Sequence, residues 1–198
     1  MNMKLVKDLI SENFLSVPCD TGYYTWWFTE EKTKVLLDKI NNGLAAGDKI
    51  DFSMLKKQHP NKEHPNLNYY ALYFGIACSK GGLNQRIKWH TAKINGHTQS
   101  TVKHGTLSTL RQTISGLNEW YMINSSSDVD DFIRDCYWEW TVAKASVSKK
   151  TEIDELNNID YSDPLKGHSY PLNIKGNNTI SKACRKRLKE VRKEYRKL

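Results

Sequence analysis

One stretch limits the fold of this chain more than any other: it runs from Tyr69 to His90 and reads YYALYFGIACSKGGLNQRIKWH. Aromatic and small apolar residues fill its first nine positions, which favours a β-strand over Tyr69 to Ala77. Gly81 and Gly82 then end the strand, since glycine readily adopts turn conformations. Apolar residues follow at helical spacing, at Leu83, Ile87 and Ile94. The stretch therefore predicts a strand, a glycine turn and a helix.

Strict alternation along this strand would divide its side chains between two faces. The core-facing set is Tyr70, Leu72, Phe74 and Ile76. The opposite set is Tyr69, Ala71, Tyr73, Gly75 and Ala77. Because small residues surround Tyr73 on this second face, a large ligand such as a nucleic-acid backbone has room to approach its phenol.

The glycine turn and the helix carry the first candidate site residues. Lys80 precedes the two glycines, so a helix that begins there would present unpaired N–H groups beside a cation, which favours an anion. Arg86 and His90 are four residues apart and lie along the same edge of the helix. A phenol, a guanidinium and an imidazole are therefore predicted to converge near Tyr73.

Length and composition limit the class of protein. The chain has 198 residues, of which 38% are hydrophobic, and this suits one domain with an appendage. No apolar run approaches the roughly 20 residues that a membrane helix requires, and the N-terminus lacks a secretory cleavage site. These features predict a soluble, cytoplasmic protein. Four cysteines without a CxxC pair predict buried or incidental reduced thiols.

Most of the net charge of +8 lies at the end of the chain. From Lys182 to Lys197, nine basic residues against two glutamates leave a net charge of +7. Apolar residues recur there at helical spacing, so the segment is predicted to be a basic amphipathic helix. It is either a solvated surface helix or a surface that binds phosphates, and the near neutrality of the rest favours nucleic acid. The predicted DNA contacts in it are Arg185, Lys186, Arg187 and Lys189.

The remaining patterns predict helices around a small sheet. Aromatic alternation indicates strands at 21–28 and 137–143. Apolar spacing indicates helices at 3–15, 30–42, 107–117 and 150–158, whereas 95–105 and 124–131 are polar and predicted to be irregular. On the helix at 107–117, Arg111 lies off the apolar stripe. Three strands among helices define an α+β fold, an α/β sandwich.

Two tripeptides and the helix after them resemble the motifs of the GIY-YIG nuclease family. The first strand carries Gly22-Tyr23-Tyr24 and the second carries Tyr73-Phe74-Gly75, and Arg86 and His90 follow. Aromatic residues here replace the isoleucine at the centre of both family tripeptides. The resemblance covers roughly residues 20–178 and preserves the order of the elements. It implies a small, mainly antiparallel three-stranded sheet flanked by helices.

The same resemblance implies a domain layout. The segment PLNIKGN, which contains Asn173, is similar to the segment that closes the family domain. Residues 1–178 would form a single nuclease domain with a long insertion at about 29–68, and residues 179–198 would form the basic helix. Asn173 and Lys80 are then candidates for contacts with DNA.

Family resemblance also implies roles for the clustered side chains. Tyr24 would be the general base and Tyr73 its partner, and Arg86 would bind the scissile phosphate. His90 would position the water or pair with a tyrosine. These roles meet the needs of phosphodiester hydrolysis, in which a water must be deprotonated and the phosphoryl charge stabilised.

A glutamate is expected to hold a metal ion in such a site. Glu152 is followed by Leu156, as in the glutamate helix of the family, and is the best match. Glu155 is an alternative and Glu139 a more distant one. Hard oxygen ligands and retained waters suit Mg²⁺, and Mn²⁺ would be its substitute.

Two classes of function follow from this pattern. The first is a Mg²⁺-dependent endonuclease that acts on DNA, most like the restriction enzymes of the family, with a repair or recombination nuclease as a variant of it. The second is a noncatalytic module that binds nucleic acid with the same fold. RNA remains open as a substrate, and cleavage of palindromic sites would require a homodimer.

Overall fold

A five-stranded antiparallel sheet lies at the centre of the computed structural model, which describes residues 2–58, 67–91, 108–119, 125–157 and 168–197. Its strands are β1 (Asn2–Leu5), β2 (Gly22–Thr29), β3 (Lys57–Gln58), β4 (Tyr69–Ala77) and β5 (Tyr137–Val142). They lie in the order β1-β5-β2-β4-β3. The sequence-based prediction of three strands is therefore wrong in number, although the α+β class and the antiparallel pairing are confirmed.

The helices surround this sheet. They are α1 (Val6–Ser11), α2 (Glu30–Asn41), α3 (Gly82–His90), α4 (Thr109–Leu117), α5 (Ser125–Ile133), α6 (Ala145–Asn157) and α7 (Lys182–Lys197). Side-chain caps fix three of their starts, because Thr29 accepts from the Lys32 N–H, Ser108 accepts from the Arg111 N–H and Ser181 accepts from the Cys184 N–H. No helix within the described ranges is both long and apolar enough to cross a membrane.

Two local predictions are corrected by pairing between distant parts of the chain. The N-terminal segment, predicted as a helix at 3–15, begins as β1 because it pairs with β5, and only α1 is helical. The polar segment at 124–131, predicted as a turn, lies mostly within α5. Val129 and Ile133 are four residues apart and buried, so they fix this helix against the core despite its polar composition.

A β-bulge changes the faces of β4. Trp26 pairs with Tyr73 but Trp27 pairs with Ala71, so that Leu72 is an extra residue on β4. Leu72 and Tyr73 consequently both pack against the same, larger hydrophobic cluster. Beyond the bulge the alternation is inverted.

The bulge also makes one predicted face of β4 wrong. Phe74 and Ile76, predicted to share a face with Leu72, pack against the smaller cluster on the opposite side of the sheet. Tyr73 instead lies on the same side as Tyr24, which belongs to the larger cluster. The bulge therefore brings the two motif tyrosines to one face. The alternation of residues in the sequence does not predict a bulge at this position.

The basic C-terminal helix, predicted at 179–198, is present as α7 and forms part of the core. The side chains of Leu188 and Tyr195 within the helix, and of Ile180 just before it, are buried. A Cβ added at Gly116 of α4 would lie 2.6 Å from a methyl carbon of Val191, so the two helices are in close contact. The outer side of α7 carries its charges, and its inner side completes the fold.

Deletion of residues 180–198 is expected to unfold the protein. Burial of three large apolar side chains stabilises a fold by roughly 5–9 kcal/mol, which is comparable with a total stability of about 5–15 kcal/mol. The measurement is thermal unfolding followed by circular dichroism. Lys186→Gln is the control, because this exposed residue leaves the buried side intact. A truncated chain that melts cooperatively near the wild-type temperature would contradict this expectation.

Candidate active site

The two tripeptide motifs lie side by side, with Tyr24 of β2 paired opposite Gly75 of β4. A Cβ on Gly75 would lie 2.4 Å from the Tyr24 hydroxyl oxygen and 2.5 Å from its Cζ. The phenol of Tyr24 therefore passes directly over the glycine. The glycine of the second motif serves to seat the tyrosine of the first.

Gly75→Ala is expected to displace the Tyr24 phenol. Overpacking of this kind typically costs about 1–3 kcal/mol of stability. Displacement of an active-site group by about 1 Å lowers a reaction rate by about 10²-fold. Thermal unfolding measures the loss of stability, and the rate of a nuclease assay measures the displacement of Tyr24. Gly47→Ala is the matched control, since a Cβ there meets no atom within 4 Å. Wild-type activity in Gly75→Ala would mean that the position of Tyr24 does not matter for function.

A chain of hydrogen bonds fixes His90. Its Nε2 lies 2.8 Å from the Tyr24 hydroxyl oxygen and its Nδ1 lies 2.9 Å from the Ser108 Oγ. The side chain is buried, with 2% of its surface exposed. Burial, followed by the charges of Arg86 and Arg111, lowers the pKa of His90 well below its usual value. His90 is therefore a neutral imidazole that can accept a proton at one nitrogen and donate at the other.

Tyr24 is held in its neutral form. Burial is the main cause that raises its pKa well above 10, and the neighbouring Tyr73 adds to the effect through its charge and a hydrogen bond. Arg86 opposes the shift. Tyr24 is 2% exposed, so it lies behind the surface and not on it. A free phenolate at this position is strongly disfavoured at neutral pH.

Tyr73 is the motif tyrosine that faces open space. Its ring centroid lies 6.3 Å from that of Tyr24 and 5.8 Å from that of His90. It lines a cavity of about 460 Å³ together with Glu152 and Arg192. This space, called the Tyr73–Glu152 cavity below, also has Thr109 in its wall. The predicted open approach to Tyr73 is therefore present.

The three candidate glutamates lie in different places. Glu152 lines the Tyr73–Glu152 cavity, whereas Glu155 and Glu139 line a smaller cavity of about 200 Å³. Glu155 accepts a hydrogen bond of 2.5 Å from the Tyr170 hydroxyl, and Glu139 accepts one of 2.6 Å from the Trp27 indole. Of the three, Glu152 is the carboxylate that shares a cavity with Tyr73, which supports it as the metal ligand.

The surroundings of Glu152 fit a single hydrated cation. Burial raises the pKa of its half-buried carboxyl, against the opposing charges of Arg86 and Lys175. No described residue forms an ion pair with it within 4.0 Å, and the described ranges hold no cluster of three acidic, histidine or cysteine side chains. One carboxylate beside a roomy cavity suits Mg²⁺, which keeps most of its waters.

Arg86 lies where its charge reaches the other site residues. It influences the pKa values of Tyr24, His90 and Glu152. Its guanidinium carbon lies 5.1 Å from the centre of the Trp89 ring. Among the described residues no carboxylate pairs with it, so the charge remains available for a ligand.

The anion site predicted at the start of α3 is wrong. The Leu83 N–H donates to the Asp20 carbonyl at 2.9 Å, and the Asn84 N–H donates to the Pro18 carbonyl at 3.0 Å. These backbone donors are therefore satisfied within the protein. Lys80 is exposed beside them, and its contact with DNA stays a prediction.

A second open space, called the basic groove below, runs along α7. It measures about 900 Å³, and eight of its ten lining residues are basic. They are Lys175, Lys182, Arg185, Lys186, Lys189, Arg192, Lys193 and Arg196. Three of the four predicted contacts line it, while Arg187 instead donates to the Lys39 carbonyl at 3.1 Å and 3.3 Å. The groove adjoins the Tyr73–Glu152 cavity, and both are lined by Ile174, Lys175, Gly176 and Arg192.

Asn173 holds β4 in place. Its Oδ1 accepts from the Phe74 N–H at 2.8 Å, and its Nδ2 donates to the Phe74 carbonyl at 2.7 Å. The side chain is buried and both amide atoms are engaged inside the protein. Asn173 therefore positions the YIG-like strand, and because it also lines the Tyr73–Glu152 cavity, its contact with DNA stays a prediction.

Two arginines close to the candidate site were not among the predicted site residues. Arg111, predicted off the buried stripe, is 1% exposed and donates to Asp130 at 2.5 Å and to the His90 carbonyl at 3.1 Å. No local pattern signals this long-range pair. Arg192 follows Lys189 by three residues, so helical spacing could have placed it on the groove side of α7. The predicted loop at 95–105, with His97 and His104, lies outside the described residues.

The fold and the paired tripeptides define a nuclease-type protein. The family model of the GIY-YIG catalytic domain matches residues 22–194, which spans β2 to most of α7. The chain belongs to the GIY-YIG family. Searches of curated proteins and of solved structures each gave no significant match.

Proposed function

We propose that this protein is a metal-dependent endonuclease that hydrolyses phosphodiester bonds in DNA. The observation that carries the proposal is the continuity of the basic groove with the Tyr73–Glu152 cavity. A nucleic acid is a ligand that offers regularly spaced phosphates to such a groove and one scissile phosphate to such a cavity. The family membership supports the same chemistry.

The tyrosines and His90 would orient the attacking water. Tyr73 faces the cavity, and Tyr24 behind it is hydrogen-bonded to His90 Nε2. The Tyr73 oxygen would accept a hydrogen bond from the water, while Tyr24 and the neutral His90, held in turn by Ser108, keep the phenols in place. All three side chains stay neutral, consistent with the raised pKa of Tyr24 and the lowered pKa of His90. The attacking water would give its proton to solvent.

The charged residues would serve the phosphate. Arg86 would stabilise the negative charge that develops on the phosphoryl oxygens. Glu152 would hold the Mg²⁺ ion, which when bound polarises a phosphoryl oxygen and lowers the pKa of a coordinated water. The single carboxylate and the cavity beside it support this assignment.

Within this class we propose a restriction-like enzyme that cleaves specific duplex sites. The long connection between β2 and β4 and the outer side of α7 both offer side chains for contacts beyond the scissile phosphate. Phosphate contacts position a duplex, and base contacts would give the sequence preference.

The test is incubation of the purified protein with plasmid and genomic DNA of mixed sequence, with Mg²⁺, with Mn²⁺ and with a chelator. Discrete fragments that require the metal support the restriction-like enzyme. A uniform smear, or cleavage of branched substrates alone, would replace it with a nonspecific or a repair-type nuclease. Binding without cleavage under every ion would reduce the protein to a noncatalytic nucleic-acid-binding module.

A further inference from the structure

Arg192 of α7 lies where the basic groove meets the Tyr73–Glu152 cavity. It lines both spaces, whereas Lys189 one turn earlier lines the groove alone. Its side chain is half-buried, beside Tyr73, whose phenol acts on its pKa. The residue therefore connects the surface that would bind DNA with the site that would cleave it.

The Nε–H group of Arg192 is a buried donor without an acceptor among the described residues. The other three arginines of α7 each donate to a protein oxygen. Arg185 binds the Asn177 carbonyl, Arg187 binds the Lys39 carbonyl and Arg196 binds the Gln112 Oε1. Buried donors in folded proteins normally have a partner. The terminal guanidinium nitrogens also form no hydrogen bond with a described residue, so a phosphate oxygen that enters the cavity could bind to them.

The chemistry of the guanidinium identifies that ligand. An arginine fork, with its charge and fixed geometry, matches the oxygens of a phosphate, which is the anionic group of nucleic acids. Burial is the main cause that lowers the pKa of Arg192, with Arg196 adding to it, so an incoming anion would relieve an unfavourable environment. The path of the groove brings a phosphate to this point.

We propose that Arg192 binds the substrate phosphate at the junction and so positions the backbone beside Tyr73 and Glu152 for hydrolysis. The inference rests on the proposed function and adds a residue of the C-terminal helix to the site. Arg192 thus has a different role from the other cations of α7. Those cations bind DNA, whereas Arg192 sets its register in the cavity.

The first test compares Arg192→Gln with Lys189→Gln in single-turnover cleavage at saturating DNA. Arg192→Gln is expected to lower the rate at saturation by about 10²-fold or more. Each variant removes one of the eight groove cations, so each should weaken binding modestly and reduce the salt slope by about one unit. The rate at saturation should fall far less in Lys189→Gln than in Arg192→Gln. Arg192→Lys keeps the charge but loses the Nε donor, and it should not restore the rate.

The proposal is overturned if Arg192→Gln behaves like Lys189→Gln, or if Arg192→Lys cleaves at the wild-type rate. Thermal unfolding of all three variants separates a local effect from a loss of fold. The conservative lysine substitution keeps the comparison valid where glutamine destabilises the helix.

A second measurement does not depend on cleavage. The ¹H–¹⁵N signal of the Arg192 side-chain Nε–H, assigned by its loss in Arg192→Lys, is followed as a thymidine tetranucleotide is added in the presence of chelator. The Arg192 signal should shift, while that of Arg187, which lies outside the groove lining and whose Nε–H donates to the Lys39 carbonyl, should stay in place. If the signal shifts but no DNA is ever cut, the proposed hydrolysis fails and the phosphate site stands. If DNA is cut, but the Arg192 signal does not shift and the Arg192 variants cleave at the wild-type rate, the role of Arg192 is wrong and the proposed nuclease function stands.

Discussion

Glu152→Gln is expected to abolish DNA cleavage while DNA binding remains. The substitution removes the carboxylate that shares a cavity with Tyr73 and that would hold the metal ion. Loss of a contribution of several kcal/mol to the transition state corresponds to at least about 10³-fold in rate. Binding should be equal or tighter, because a negative charge near the phosphate is lost. The measurement is single-turnover cleavage in Mg²⁺ beside a binding titration in chelator.

Glu155→Gln is the matched control for this variant. It lies three residues further along α6 and makes the same chemical change, but its carboxylate binds Tyr170 on the other cavity. Near wild-type cleavage by Glu155→Gln, together with no cleavage by Glu152→Gln, supports Glu152 as the metal ligand. The reverse result would move the metal site to Glu155.

Glu152→Gln should also make the folded protein more stable at neutral pH. Burial raises the folded-state pKa of Glu152 above its unfolded value, so its favourable contribution is complete below the unfolded pKa of about 4.3. That contribution is lost as the pH rises through the higher folded pKa. Glu152→Gln should therefore be more stable than the wild type at pH 7 and equal to it near pH 3. Chemical denaturation at both pH values checks the sign, and a destabilised variant at pH 7 would contradict it.

Arg86→Ala is expected to lower the cleavage rate by about 10³-fold or more with the fold preserved. Arg86 is the fixed positive charge that acts on Tyr24, His90 and Glu152, and no described carboxylate neutralises it. Its loss should therefore be felt in the transition state more than in DNA binding. The rate at saturating DNA and the Kd are measured separately.

Lys88→Ala is the control on the same helix. This substitution also removes one positive charge from α3. The Lys88 ammonium lies over the Phe14 ring, away from the site, at 5.8 Å from the ring centre. Arg86→Lys adds a test of geometry, since lysine keeps the charge without the bidentate fork. Near-normal turnover in Arg86→Ala would make it a surface residue with no part in catalysis.

The sequence predicted the elements whose signals are long and local. The strand over Tyr69–Ala77 has the predicted bounds, and the basic helix predicted at 179–198 is observed over Lys182–Lys197. The first is rich in aromatic and apolar residues, and the second repeats its apolar residues at helical spacing. β1 and β3 have four and two residues, too few for a pattern, and they exist because a partner strand pairs with them.

The candidate site was predicted in its membership but not in its arrangement. The spacing of Arg86 and His90 correctly placed them on one helix, yet His90 is buried against Tyr24 while Arg86 is not. Which tyrosine faces the ligand depends on the bulge at Leu72, which has no sequence signature. The choice between Glu152 and Glu155 depends on which side of α6 meets each cavity, and this is a property of packing.

The two-sided character of α7 has a consequence for how such a protein can change over generations. Its inward residues are tied to the survival of the whole fold, since Leu188 and Tyr195 lie in or beside the core. Its exposed lysines lie outside the core, so they can be exchanged one at a time. The proposed affinity for a polyanion can thereby drift in small steps while the inward side of the helix stays unchanged. Arg192, at the junction of both spaces, is the outward residue with least freedom to vary.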